Sequence, residues 1–105
     1  MKIITTGHRY ELANFENPEN AGQVLQFIEK TPDLDKGNGA LRTVNDGTTN
    51  EEVLAVLINR VNYLNGKFPC RENAIAITKL EEALLWLNHR TAQRQARGVE
   101  GKASA

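Results

Sequence analysis

Three arginines close the last long regular stretch of the chain. Arg90, Arg94 and Arg97 stand four and three residues apart in HRTAQRQARGVEG, residues 89–101, and residues at those spacings share one face of an α-helix. Guanidinium groups in such a row have two possible uses. Near a helix C-terminus each cation meets the negative end of the helix dipole, which contributes about 0.3–1 kcal/mol. Alternatively the row is an anion clamp, because planar guanidinium forks bind phosphate oxygens through bidentate, charge-assisted hydrogen bonds, for which Arg is better suited than Lys. All three cations of these last turns are Arg. Gly98 and Gly101 are expected to stop the helix that carries them.

Other residues could complete an anion or nucleotide site. Asn73 falls on the leucine side of the same helix, where its amide either reads a base edge or satisfies the helix start. Tyr63 sits on the edge of the preceding helix's apolar stripe, where a phenol ring caps the core or stacks on a purine. Arg71 binds phosphate or pairs with Glu72 or Glu52, and Arg42, alternating with Ala40 and Val44 on an expected strand, either reaches the hairpin or lies on a solvated face. Glu81 and Glu82 with Lys79 read as a solvated helix face carrying local charge pairs.

The elements that must position these groups change character near Asn45. Before it, glycines and prolines break up short β-compatible stretches at 9–15 (RYELANF), 23–30 (QVLQFIEK) and 40–44 (ALRTV). Tyr10 and Leu12 alternate with charged neighbours as a half-buried strand would, and DKGNG reads as a flexible turn. The expectation is one small antiparallel sheet, although QVLQFIEK fits one or two turns of helix equally well. After Asn45, DGTTNEE supplies a turn and then Thr49 as N-cap with Glu52 three residues on, a capping-box arrangement. Val53, Leu54, Leu57, Val61 and Leu64 follow as one stripe, which LNGKFP ends through Gly66 and Pro69. A second helix should start between 69 and 72 and run to about Arg97, with Ile77, Leu80, Leu84 and Leu87 facing the first. At about 100° per residue, Ala76, Ala83 and Trp86 fall on the flank of Arg90, Arg94 and Arg97, rotated away from the leucines. That flank is expected to pack against a second copy of the chain, which puts the arginines at the rim of a subunit interface. The fold class is therefore α+β: one oligomeric domain over 1–105, with a β-rich part over 1–47 and an antiparallel two-helix hairpin with its tail over 48–105.

Composition excludes several function classes. A chain of 105 residues with 40% hydrophobic and 25% charged residues supports one domain with a modest core. Lys plus Arg equals Asp plus Glu at 13 each, so there is no broad basic field for polymeric nucleic acid, and any anion site is local. No apolar run approaches the roughly 20 residues that cross a bilayer, and MKIITTGHRYEL lacks the hydrophobic centre of a signal peptide, which points to the cytoplasm. The lone Cys70 forms no internal disulfide, and His8 and His89 lack metal-ligand spacing. No Gly-rich phosphate loop, nucleophilic triad or carboxylate pair stands out, so the chain reads as a protein that binds rather than converts, without cofactor or metal.

The segments DGTTNEEVL, KFPCRENAIAITKLEEALLWLNHRT and RGVEGK resemble the Thoeris anti-defence sponges of bacteriophages, which share a helical hairpin with the anti-CBASS sponges. The resemblance implies a non-enzymatic protein of the host cytoplasm that sequesters the nucleotide messenger of a bacterial immune sensor. For Thoeris that messenger is a cyclic ADP-ribose isomer, glycocyclic ADP-ribose (gcADPR), held between subunits. It implies Arg90 and Arg94 on the phosphates, Asn73 and Tyr63 on the adenine, and Arg42 as a further pocket residue. Tyr63 replaces an expected phenylalanine but keeps the stacking surface. It also implies a second site at Arg71, in the pattern R-x-x-A-I, for cyclic di- or trinucleotides in a larger, hexameric assembly, so that the homo-oligomer is a dimer or a hexamer. The rival readings are an oligomeric phage protein-interaction module that binds no nucleotide, a nucleic-acid-binding hairpin and a messenger-degrading enzyme.

Overall fold

Glycine, proline and asparagine interrupt every apolar run before residue 49, and only short strands form between them. The computed structural model describes residues 1–98 and Lys102, which fall into two units, Met1–Thr49 and Asn50–Ala105. In the first unit, β1 (Lys2–Thr5), β2 (Arg9–Glu11) and β3 (Val24–Gln26) form an antiparallel sheet in the order β1-β2-β3, while β4 (Glu29–Pro32) and β5 (Leu41–Asn45) form a separate antiparallel pair.

Two sheets thus stand where one was expected, and QVLQFIEK is neither a single strand nor a helix. It is divided at Phe27 and Ile28 by the segment that precedes the helices. Phe27 N–H continues the first sheet by donating to the His8 carbonyl (2.7 Å), whereas Ile28 N–H donates to Thr48 (2.9 Å) and Thr48 N–H donates back to Gln26 (2.8 Å). Gly47 makes this crossing possible: a Cβ there would overlap the Gln26 carbonyl oxygen and lie 2.7 Å from the Phe27 carbonyl carbon.

The strand expected over 9–15 is curtailed at Glu11, with Leu12 adding one more main-chain bond to Gln23 (2.8 Å). Tyr10 is half-buried, with its ring edge-on to Phe27 at 6.0 Å, but Leu12 is exposed and Phe15 is almost wholly so. β1 was not foreseen, because its adjacent Ile3 and Ile4 do not alternate with polar residues. DKGNG is the turn it was expected to be: Gly37, Asn38 and Gly39 all take left-handed φ (67°, 57° and 73°) between β4 and β5, a conformation that Gly and Asn tolerate.

The second unit is built by side-chain spacing. α1 (Asn50–Lys67) begins at the residue after Thr49, as the capping signal indicates, and carries Glu51 and Glu52 in its first turn. Val53, Leu54, Ile58, Val61 and Leu64 form its half-buried stripe, while Leu57 points away from it at 43% exposure. Ile58 therefore takes the place expected for Leu57. Gly66 lies inside the last turn and does not stop the helix, which ends one residue later, before Phe68 and Pro69.

α2 (Arg71–Ala96) packs on α1 in a helical hairpin. Its N-cap is Cys70, whose Sγ accepts from the Asn73 backbone N–H at 3.4 Å. Ile77 is buried and Leu80, Leu84, Leu87 and Thr91 are half-buried, at the alternating three- and four-residue steps that keep one face toward a partner helix. The C-cap is Arg97, and Gly98 then turns the chain at φ 71°. Gly101, the second expected stop, lies outside the described residues. Among the described residues no helix is long and apolar enough to cross a membrane.

Candidate functional site

The last two turns of α2 do not display their arginines as one row. Seven residues on a helix bring a side chain back to within about 20° of its starting face, so Arg94 follows Ile77, Leu84 and Leu87 along the seam and Ala76, Ala83, Arg90 and Arg97 share the outer flank. The structure shows this division directly: Arg94 is 5% exposed, whereas Arg90 and Arg97 are exposed. The expectation that Arg94 shares the flank of Ala76, Ala83 and Trp86 is therefore corrected. Counting from Arg90 and Arg97 put it there, and counting from Leu87 puts it on the apolar seam.

Burial sets the chemistry of that guanidinium. A charge removed from water is strongly disfavoured unless it is hydrogen-bonded, and Arg94 Nη2 donates to the main-chain carbonyl of Lys102 at 2.8 Å. Arg90 stands one helical turn earlier, about 6 Å along the axis, with its side chain in solvent. The pair thus combines one desolvated and one solvated guanidinium at the same helix end.

The remaining candidates are distributed along the hairpin and the first unit. Tyr63 is 54% exposed and so does not cap the core; the Lys67 ammonium lies 5.0 Å from its ring centroid, a cation–π contact at the i,i+4 spacing of α1. Asn73 is half-buried in the first turn of α2, on the seam four residues before Ile77. The helix start is capped by Cys70 Sγ, not by the Asn73 amide.

Arg71 is exposed at the mouth of an open hollow of about 420 Å³ lined with Ala74, Ile75, Thr78 and Lys79. Arg42 lies exposed on β5 of the first unit, with Thr31 opposite it on β4. Lys79 and Glu82 form the expected solvated charge pair at 3.7 Å.

Four features escaped the sequence reading. The Tyr63–Lys67 contact was available from i,i+4 spacing, and the Cys70 cap from its place just before a Glu-containing first turn. The Lys102 carbonyl carries no sequence signal, because every residue has one. A small apolar hollow of about 260 Å³ formed by Leu85, Trp86 and His89 lies on the outer side of α2, with Trp86 70% exposed and its indole edge-on to the His89 ring at 5.9 Å. Among the described residues no group of three or more His, Cys, Asp or Glu side chains is placed to hold a metal ion.

A two-helix hairpin with a cationic helix end and an exposed apolar flank defines a class of small helical-hairpin proteins. Within that class the sequence profile of the Acb2/Tad1 hairpin domain matches residues 30–92, and the chain belongs to this family. It is also 61% identical over 57 residues to the protein called Thoeris anti-defense 1 of Bacillus phage SBSphiJ7. The shared segment covers 53% of this chain and 40% of that relative, so the chain matches well under half of the relative's length.

Proposed function

We propose that this protein is a phage anti-defence sponge of the host cytoplasm, which binds a cyclic nucleotide immune messenger and releases it unchanged. The name of its phage relative and the membership of the hairpin family support the anti-defence role. The observation that carries the binding role is the paired guanidinium groups of Arg90 and Arg94 at the end of α2, one of them desolvated. In glycocyclic ADP-ribose two phosphates adjoin, and Arg90 and Arg94, one helical turn apart in sequence, supply one guanidinium for each; the burial of Arg94 strengthens its charge-assisted bond. Tyr63 and Asn73 take the adenine by stacking and hydrogen bonding, and Arg42 is a further ligand-binding candidate. Arg71 and its hollow are assigned to cyclic di- or trinucleotides.

The messenger is held where copies of the chain meet. Support for a homo-oligomer, a dimer or a hexamer, comes from the exposed flank of α2: Leu85 and Trp86 are 68% and 70% exposed, and Ala76 and Ala83 beside them leave room for close helix approach. No step of this function requires catalysis, metal or cofactor.

Titration calorimetry with glycocyclic ADP-ribose, followed by heating the complex and chromatography of the ligand, tests the proposal. Tight binding with the ligand recovered whole is expected. A chemically changed ligand would identify a degrading enzyme, and absence of binding to any cyclic nucleotide would leave the protein-interaction reading, which the Leu85–Trp86–His89 hollow favours. Arg94→Leu, which replaces a buried cation by an apolar side chain, is expected to weaken messenger binding by about 100-fold or more while leaving the melting temperature level or raised.

A further inference from the structure

Arg94 is too well covered to meet a ligand in the conformation described. Its side chain is 5% exposed, and one of its Nη donors is occupied by the Lys102 carbonyl at 2.8 Å, eight residues along the chain. The helix that carries Arg94 ends just before Gly98. Arg97 N–H closes on Gln93 (3.1 Å), Gly98 N–H closes on Gln95 (3.0 Å), and Gly98 at φ 71° sends the chain out of the helical path.

A peptide carbonyl is a neutral acceptor occupying a place where a phosphate oxygen would make a stronger, charge-assisted bond. We propose that the Lys102 carbonyl is a built-in competitor: it holds and desolvates Arg94 in the free protein, and an incoming phosphate displaces it. This inference rests on the reading of Arg94 as an anion-binding group.

The exchange balances without loss of hydrogen bonds. Arg94 trades a carbonyl for a phosphate oxygen, and the carbonyl returns to water. While the latch is closed, the guanidinium is screened from ordinary cellular anions. A ligand opens it only when its other contacts add to the phosphate bond, as those of a nucleotide with two phosphates do. Every binding event then includes an opening step, and the apparent affinity is the intrinsic one multiplied by the fraction of molecules that are open.

Two variants open the latch by different means. A chain ending at Gly98 lacks Lys102. Gly98→Val keeps residue 102 but places a β-branched residue at a left-handed φ, which strains the turn at the end of α2.

Both are compared with the full chain by calorimetry, using glycocyclic ADP-ribose and inorganic pyrophosphate as separate probes. Affinity for both probes is expected to rise by about tenfold in both variants, the size of one hydrogen bond to a charged group. If no form binds glycocyclic ADP-ribose but pyrophosphate binding still rises on opening, the latch stands and the messenger assignment falls. Unchanged or weaker binding of both probes in both variants overturns the latch and makes the Lys102 contact a structural support for Arg94.

Discussion

The two units of this chain are held together by different kinds of information. In Asn50–Ala105 the information lies in side chains: apolar residues recur at three- and four-residue steps along both helices, and their seam centres on Ile77. In Met1–Thr49 it lies in the main chain. The strands are three to five residues long, no large apolar side chain among them is buried, and the unit is organised by cross-connections such as Ile28 to Thr48 and Thr48 to Gln26. A hairpin of the first kind tolerates many sequences that keep its period. A unit of the second kind depends on a few positions where one backbone passes close to another.

Substitutions can break or sharpen this contrast, and the largest effect is expected at the seam. Ile77→Ala removes buried methylenes from the one buried apolar position among the described residues, and should lower stability by about 2–5 kcal/mol, read from helical ellipticity in urea. Gly47→Ala tests the main-chain case. With the backbone of Gln26 and Phe27 supplying the three heavy atoms nearest the new methyl group, a loss of about 2 kcal/mol is expected, seen as faster hydrogen exchange at Phe27, Ile28 and Thr48. A well-tolerated Gly47→Ala would show that the first unit is not fixed by close backbone approach.

Smaller changes probe the ends of the helices. Gly66 sits within α1 with open space around it and no left-handed φ, so Gly66→Ala should stabilise by about 1 kcal/mol through helix propensity. Cys70→Ser replaces a weak sulfur acceptor with a preferred N-cap residue, and a gain of about 0.5 kcal/mol is expected. Both are measurable as shifts in the thermal midpoint, and losses in place of gains would mean that the tight link between the helices dominates local propensity.

The same contrast explains how much of the structure was legible in the sequence. Both helices, their hairpin and the DKGNG turn were readable, since period, capping residues and glycines are all side-chain signals. The first sheet was blurred because Phe27 and Ile28 continue an apolar run across the point where the chain leaves one sheet for the other. Leu57 and Ile58 are adjacent apolar residues, and only packing shows which one turns inward. At the candidate site the residue types were legible, but the burial of Arg94 was not. Its neighbours in the arginine row masked its seven-residue relation to Leu87, and the carbonyl that holds it belongs to the main chain.

The scarcity of buried apolar side chains also has a thermal consequence. The heat capacity released on unfolding scales with the apolar surface newly exposed to water. A single chain that already exposes Phe15, Leu34, Phe68, Leu85 and Trp86 has little left to expose. Its stability curve should be shallow, changing slowly with temperature and lacking a sharp optimum. Covering the α2 flank would steepen that curve, so the curvature of a calorimetric melt reports how much of this surface is dry in the working state of the protein.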